Sequence, residues 1–172
     1  MKHFLDSLAL LTVVSPKLGA RVLDVGTGAG LPGLALKIAR PDLRLTLLDS
    51  TAKKLSFCRA AADELGLDGV EIVHARAEQA AKEAGLVGQF DLVTARAVAP
   101  LERLLPWLAP FVAPGGLAVA LKGAGVAEEL GSARPAARAW GLTLRPLVAV
   151  PLLEAEEPTV RQIVVASRKK IR

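Results

Sequence analysis

The stretch VLDVGTGAGLPG, from Val22 to Gly33, places four glycines within eight residues, directly after an apolar run that contains an acid. Glycine loses more backbone freedom on folding than any other residue, so it is costly inside regular structure. Four glycines in so short a stretch indicate that a ligand or another part of the chain lies close to this backbone. The same stretch reads as a strand followed by a loop and a helix, and this order decides the predicted fold.

The length of 172 residues and the apolar fraction of 52% predict one domain over residues 1–172, with a substantial core. No apolar run approaches the roughly 18 residues of a membrane span. The first residues, MKHFLDSLALL, lack the pattern of a secretory signal. One cysteine and two histidines give no cluster at metal-ligand spacing. We therefore expect a cytoplasmic protein that binds neither a membrane nor a metal ion.

The charge is concentrated at the C-terminus. The net charge is +5, and Arg168, Lys169, Lys170 and Arg172 account for four of these charges. Residues 168–172 are therefore predicted to form a basic tail. Such a tail suits the phosphate backbone of a nucleic acid, although a solvated chain end would have the same composition.

Helix and strand signals alternate along the chain. Predicted helices cover 3–14, the segment LPGLALKIAR, 51–66, 78–85, 101–113 and 126–140, with Ile38 and Leu65 among the residues expected to face inward. Predicted strands are RVLDV, LRLTLLD, VEIVHA, FDLVTA and GLAVALK, followed by the runs LTLRPLVAVPL and TVRQIVVASR. This order predicts an α/β fold with a parallel sheet between two helix layers. The last two runs are expected to form an antiparallel hairpin around the acidic loop EAEEP.

Two known glycine patterns overlap in the loop after the first strand. The pattern G-x-G-x-x-G, beginning at Gly28, matches the dinucleotide fingerprint. The pattern D-x-G-x-G-x-G, beginning at Asp24, matches the loop that binds S-adenosylmethionine (SAM) in Rossmann-like methyltransferases. Asp49, at the end of the second strand, fits both, because either cofactor has a ribose. In both cases the glycines would present bare N–H groups where an open parallel sheet binds its ligands.

Three features favour SAM over a nicotinamide cofactor. Asp24 could hold a cationic amino-acid end, directly or through water, and would repel a pyrophosphate. Ala77 and Glu78 follow the third strand, at the edge where an adenine would lie. The terminal hairpin resembles the edge of the seven-stranded methyltransferase sheet. Purely structural roles are the alternatives: Asp49 or Ser50 as a helix cap, Glu78 as a first-turn acid and Arg96 as a surface cation.

Six segments together resemble the bacterial rRNA small subunit methyltransferase G family, also called glucose-inhibited division protein B. They are HFLDSL, VLDVGTGAGLPGLALKI, LLDSTAKKLSF, ARAE, FDLVTARAVAPL and GLAVALKG. The resemblance implies a Rossmann-like class I fold, with a mostly parallel seven-stranded sheet and an antiparallel C-terminal hairpin. It also implies SAM-dependent methylation of guanine N7 in 16S ribosomal RNA. Family members usually carry a further N-terminal helical segment, so we expect this chain to lack that segment and to begin with a helical lead-in over 1–20.

The same resemblance implies which residues bind the cofactor. These are Gly26, Leu31, Asp49, Ser50, Thr51, Ala77, Glu78 and Arg96. The implied partner is small-subunit ribosomal RNA or the assembling 30S subunit, bound by a monomer. Lys122 is a further cation at the same edge that could meet a phosphate or simply face solvent. Rival hypotheses are a methyltransferase of another substrate, a nicotinamide-dependent oxidoreductase and a SAM-sensing module without activity.

No catalytic acid or base is predicted. A sulfonium leaves as a neutral thioether, and guanine N7 carries a lone pair without a proton. The segment after the fourth strand is TARA, where methylation of an exocyclic amine would use an Asn-Pro-Pro-Tyr-like signature. A Pro-Cys pair, which covalent attack on cytosine requires, is also missing from the sequence. Positioning of the two reactants is the expected source of catalysis.

Overall fold

A computed structural model describes residues 2–83, 85–96, 99–123, 125–152 and 159–170. The strands are β1 (Arg21–Val25), β2 (Arg44–Asp49), β3 (Val70–His74), β4 (Phe90–Arg96), β5 (Val112–Lys122), β6 (Leu142–Leu144), β7 (Val148–Leu152) and β8 (Thr159–Arg168). The α-helices are α1 (Lys2–Leu8), α2 (Gly33–Ala39), α3 (Ala52–Glu64), α4 (Ala77–Ala80), α5 (Leu101–Leu108) and α6 (Val126–Ala139). Short 3-10 turns over Ala9–Thr12 and Ala109–Phe111 extend α1 and α5.

The eight strands form one sheet in the order β3-β2-β1-β4-β5-β8-β6, and β7 also pairs with β8. Strands β1 to β5 are parallel, and β8 runs antiparallel to β5. The chain moves outward from β1 to β3 and then returns to place β4 on the other side of β1. The order therefore reverses between β1 and β4, which is where open α/β sheets bind ligands. The predicted parallel sheet with an antiparallel C-terminal hairpin is confirmed.

The first arm of the hairpin is divided. The prediction treats LTLRPLVAVPL as one strand, whereas the structure has β6 and β7 with Arg145, Pro146 and Leu147 between them. Arg145 still donates its N–H to the carbonyl of Val165 at 2.8 Å. Proline has no N–H to donate, so the ladder breaks at Pro146, and the sheet has eight strands rather than seven. The predicted loop EAEEP, at 154–158, lies outside the described residues.

Two predicted inward-facing residues are exposed. Ile38 and Leu65 have 39% and 56% of their surface accessible, respectively. Ile38 lies in the last turn of α2, and Leu65 follows the end of α3 at Glu64. A helical repeat fails to predict burial where the chain leaves the helix. The predicted helix over 78–85 is also shorter, because α4 is a single turn.

Apolar residues pack on both faces of the sheet. Neighbouring strand residues point to opposite faces, so Val22 joins one cluster and Leu23 the other. The cluster with Leu23 lies under α5 and α6, and the cluster with Val22 lies under α1, α2 and α3. Central strands buried on both faces explain their continuous apolar sequences. Among the described residues, no helix has the length and apolarity needed to cross a bilayer.

Candidate functional site

The loop after β1 is held by its own N–H groups. Gly26 donates to the carbonyl of Leu48 at 2.8 Å, Gly28 to Asp49 Oδ2 at 3.0 Å, and Gly30 to the carbonyl of Thr27 at 3.0 Å. All three glycines have φ between +61° and +86°, a region that other residues rarely adopt. The prediction that these glycines present bare N–H groups to a ligand is therefore wrong. Their conformation shapes the loop instead.

Gly33 confirms the predicted close packing of a helix on the sheet. A Cβ atom at this position would lie 2.5 Å from Leu47 Cδ2 and 3.0 Å from Asp24 Oδ2. Both distances are shorter than ordinary van der Waals contacts. The first turn of α2 can therefore reach β1 and β2 only because this residue has no side chain.

Asp24 is fully buried, and protein groups surround its carboxylate. Oδ2 accepts hydrogen bonds from Thr27 Oγ1 at 2.6 Å and from the Gly33 N–H at 2.9 Å, and Oδ1 accepts one from Thr94 Oγ1 at 3.1 Å. Desolvation raises the pKa of Asp24 to about 6, although these bonds and the charge of Arg96 oppose the rise. Asp24 was predicted to hold the cationic end of a cofactor, directly or through water. The direct form of this prediction is wrong, because the buried carboxylate binds the loop, α2 and β4.

A cavity of about 390 Å³ lies at the carboxyl ends of β1, β2, β3 and β4. Seven of the eight predicted cofactor-binding residues line it: Gly26, Asp49, Ser50, Thr51, Ala77, Glu78 and Arg96. Segments that are far apart in the sequence meet here because parallel strands end at the same edge of the sheet. The eighth residue, Leu31, is outside the lining; it is half-buried, and its N–H donates to the carbonyl of Thr27.

Asp49 lies at the centre of this edge. Its Oδ2 accepts the N–H of Gly28 at 3.0 Å, and its Oδ1 accepts the N–H of Thr51 at 2.8 Å. Thr51 is the N-cap residue of α3, and no side-chain hydrogen bond caps this helix. The alternative role of Asp49 as the helix cap is therefore wrong, because its carboxylate binds the N–H of the N-cap residue itself. Each carboxylate oxygen can accept a second hydrogen bond. Asp49 can therefore hold the loop and the helix and still bind a hydroxyl group.

Six residues of the cavity wall were not predicted from the sequence: Val25, Leu48, Lys54, Ala75, Arg76 and Trp107. Three of them directly adjoin predicted site residues, and Ala75 is two residues from Ala77, so these four follow from strand ends. Lys54 lies one turn into α3, where helical spacing from Thr51 would have indicated it. Trp107 comes from α5, and no local pattern in the sequence places it beside the ends of β1 and β2.

Two predicted cations have internal partners. Lys122 Nζ donates to the carbonyl of Ala99 at 2.9 Å and pairs with Glu129 at 3.0 Å, so it is neither a solvated surface group nor a free cation. Arg168 ends β8, and its Nη2 donates to the carbonyls of Ala109 and Trp140 at 2.7 and 3.2 Å. The prediction of a basic tail from residue 168 is therefore wrong for Arg168. Lys169 and Lys170 are exposed.

The sheet order, the glycine loop after β1 and the acid at the end of β2 define a class I methyltransferase, the class whose methyl donor is SAM. Solved structures share this fold. YcgJ from Bacillus subtilis superposes with a TM-score of 0.73 at 14% identity, over 99% of this chain and 100% of that chain. TrmN from Thermus thermophilus superposes with a TM-score of 0.72 at 22% identity, over 94% of this chain and 48% of that chain.

The chain belongs to the rRNA small subunit methyltransferase G family, whose family model matches residues 1–151. A ribosomal RNA small subunit methyltransferase G from Nocardioides sp. is 42% identical over 98% of this chain and 70% of that protein. The protein of that name from Sorangium cellulosum is 52% identical over 77% of this chain and 55% of that protein. The chain thus spans between about half and 70% of the length of these curated relatives.

Proposed function

We propose that this chain transfers the methyl group of SAM to N7 of a guanine in 16S ribosomal RNA, in the cytoplasm and as a monomer without a metal ion. The observation that carries the proposal is the cavity of about 390 Å³, which brings Asp49, Glu78 and Arg96 together at the edge where class I methyltransferases bind SAM. Family membership over residues 1–151 supports the RNA substrate. Within the described residues, no group of three potential ligands could hold a metal ion.

The wall of this cavity suits a nucleoside. The spare lone pairs of Asp49 can accept the two ribose hydroxyl groups, and Ser50 and Thr51 lie next to it along the edge. Ala77 has a small side chain beside Glu78 at the start of α4, so an adenine ring can lie against it. Gly26 leaves room beside the ribose, and Leu31 belongs to the same loop through the bond of its N–H to the carbonyl of Thr27. Glu78 also lies in the first turn of α4, so it can interact with the helix dipole and line the adenine site at the same time.

Arg96 is proposed to act at the reacting end of the cavity. It is the last residue of β4 and lines the cavity. In the sheet order β3-β2-β1-β4, this strand is at the opposite end from β3, which precedes α4. Its guanidinium can hold the carboxylate of the amino-acid end or the methyl acceptor. A surface role is less compatible with its half-buried position and with its effect on the pKa of Asp24.

The reaction needs positioning rather than acid–base chemistry. SAM supplies an activated methyl group, and guanine N7 attacks it with a lone pair that carries no proton. The residues of the cavity therefore have to hold both reactants in line, at about 3 Å. Asp49 and Arg96 can do this from opposite sides because they belong to rigid strand ends. No catalytic acid or base is assigned.

Calorimetric titration tests the cofactor. The chain is titrated with SAM and, separately, with NADH, because the glycine pattern beginning at Gly28 also fits a dinucleotide. Heat of binding is expected with SAM and not with NADH. Binding of NADH alone would favour an oxidoreductase, and binding of neither would contradict the proposed role of the cavity.

Methylation of RNA tests the substrate. Small-subunit ribosomal RNA that lacks modifications, free or assembled into subunits, is incubated with the chain and SAM. Primer extension after cleavage at 7-methylguanine then maps the product. A single cleaved guanine in 16S RNA is expected. SAM binding without any product on either RNA would contradict the RNA methyltransferase proposal and favour another substrate or a SAM sensor.

A further inference from the structure

A second cavity, of about 270 Å³, lies beside the first at the same edge of the sheet. The ends of β4 and β5, the first half of β8 and the helix α1 form its walls. Arg96 lines both cavities, whereas Asp6, Lys122 and Arg161 line only the second. The second cavity therefore begins where the reacting end of the proposed cofactor would be.

An ion pair between a buried acid and a half-buried arginine forms one wall of the second cavity. Asp6 Oδ2 accepts a hydrogen bond from Arg161 Nε at 2.8 Å and lies 2.6 Å from Arg161 Nη2. The side chain of Asp6 is 2% exposed and that of Arg161 is 27% exposed. Its other oxygen, Oδ1, is buried and has no hydrogen-bond partner among the described residues. A buried carboxylate oxygen without a donor is costly, and such groups in native structures often have a functional reason.

We infer that the second cavity receives the target guanine, with Arg96 and Arg161 donating to its O6 atom and Asp6 holding Arg161 in place. This inference rests on the proposed function and specifies where the methyl acceptor binds. N7 must lie in line with the methyl group at about 3 Å, so the acceptor has to occupy space that adjoins the cofactor cavity. The second cavity adjoins the proposed cofactor cavity in this way, because Arg96 lines both.

The walls select guanine over adenine. Guanine has an acceptor, O6, next to N7, whereas adenine has an amino donor at that position. A guanidinium group can only donate hydrogen bonds, so Arg96 and Arg161 match guanine and oppose adenine. Lys122 takes no part in this recognition, because Ala99 and Glu129 already bind its ammonium group.

The unaltered chain gives the first test. Once the methylated guanine is mapped, an RNA is prepared with 2-aminopurine at that position, which keeps N7 but lacks O6. At saturating SAM, single-turnover methylation of this RNA is expected to be about 10- to 100-fold slower than that of the guanine RNA. Equal rates on the two RNAs would overturn the inference.

Two variants give the second test. Arg161→Lys keeps the positive charge but loses the two-point bond with Asp6, and Asp6→Asn keeps the shape but weakens the same bond. Arg161→Lys is expected to slow methylation of the guanine RNA by about 10- to 100-fold and that of the 2-aminopurine RNA much less. Asp6→Asn should show the same pattern to a smaller degree. SAM affinity should change by less than about twofold in both variants.

The controls separate this inference from a structural effect and from the proposed function. Arg134→Lys, an exposed change on α6, should alter neither rate. Equal slowing of both RNAs in Arg161→Lys and Asp6→Asn would indicate a role in folding alone and overturn the inference. An unaltered chain that binds no SAM or methylates no guanine would overturn the proposed function itself. If Arg161→Lys does not fold, Asp6→Asn and the first test decide the question.

Discussion

At the scale of single residues, Asp24 connects the loop after β1 to the rest of the sheet. Its carboxylate accepts bonds from Thr27, Gly33 and Thr94, which belong to the loop, α2 and β4. The cavity proposed for the cofactor is lined by neighbours of this cluster, including Val25 and Gly26. Asp24 thus acts on the site through the backbone that it positions, and its ionisation bears on stability.

The raised pKa of Asp24 predicts a pH-dependent gain in stability for Asp24→Asn. The pKa rises from 3.8 to about 6 on folding, so the folded state keeps the proton up to a higher pH than the unfolded state does. Asp24 therefore lowers stability progressively as the pH rises from about 4 to about 6, by about 3 kcal/mol in full. Asparagine cannot ionise. The stability difference between Asp24→Asn and the unaltered chain should shift in favour of the variant over this range.

Urea unfolding at several pH values between 4 and 8 measures this difference. For each protein, the free energy of unfolding is plotted against pH. Subtracting the curve of the unaltered chain from that of Asp24→Asn removes the pH dependence of all other groups, and the change in hydrogen bonding at Thr27 and Gly33 adds only a constant offset. A difference that stays flat between pH 4 and pH 7 would show that Asp24 does not titrate in this range.

Gly33→Ala is expected to destabilise the fold by about 1–3 kcal/mol, because the added methyl group would collide with Leu47 and Asp24. The matched control is Gly131→Ala in α6. Gly131 is exposed, and a Cβ atom there would meet nothing within 4 Å. The control should be about 0.5–1 kcal/mol more stable than the unaltered chain, since alanine favours helices over glycine. Chemical unfolding should therefore show a lower free energy of unfolding for Gly33→Ala and a higher one for Gly131→Ala. Equal changes in the two variants would refute the steric explanation.

At the scale of elements, one acid joins two helices and a strand. Glu129 Oε2 accepts the N–H of Leu101 at 2.6 Å and pairs with Lys122 at 3.0 Å. Leu101 is the first residue of α5, Lys122 ends β5, and Glu129 lies in the first turn of α6. The start of α5 therefore receives a partner from α6 that its own N-cap, Pro100, does not supply.

Glu129→Ala should lower the free energy of unfolding by about 1–3 kcal/mol, because it leaves the N–H of Leu101 without its acceptor and removes the ion-pair partner of Lys122, whose ammonium group keeps the carbonyl of Ala99. Glu128→Ala is the matched control. Both acids lie in the first turn of α6 and have the same favourable interaction with the helix dipole, but Glu128 is exposed. The control should change stability by no more than about 0.5 kcal/mol. Similar losses in both variants would assign the effect to the helix dipole.

The elements that the sequence predicts well are those with a strong local pattern. The buried strands β1, β2 and β4 are mostly apolar runs. A glycine follows β1, β2 ends in an acid and β4 ends in arginine, and the order of the strands along the chain predicts the edge where Asp49 and Arg96 meet. The break at Pro146 and the exposure of Ile38 and Leu65 depend on where the chain leaves a ladder or a helix. The internal bonds of the glycine loop and the position of Trp107 depend on tertiary contacts, which no local pattern contains.

At the scale of the whole molecule, ligand binding at this edge is linked to global stability. Asp49 joins the glycine loop, the start of α3 and the proposed ribose site through one carboxylate. A ligand that binds only the folded chain raises its stability in proportion to the logarithm of its concentration over Kd. The proposed cofactor site can therefore be tested by unfolding measurements as well as by titration.

SAM at about 100 times its Kd should stabilise the unaltered chain by about 2.7 kcal/mol. In Asp49→Asn, the loss of a charged acceptor should weaken binding by about 1.5–3 kcal/mol, so the same SAM concentration should add about 1.4 kcal/mol or less. Asp63→Asn, the same change on the exposed face of α3, should retain the full effect. Unfolding curves with and without SAM give both values. Full stabilisation of Asp49→Asn would exclude Asp49 from the site.

The bond between Asp6 and Arg161 spans 155 residues and joins α1 to β8, an inner strand of the sheet. A ribosome therefore delivers the two partners far apart in time. During synthesis, α1 can already pack on α2, but its contact with β8 has to wait for that strand, and β5 remains an open sheet edge until β8 is made. The nascent chain can form the edge that holds the proposed cofactor site well before it can close the wall where the two segments meet.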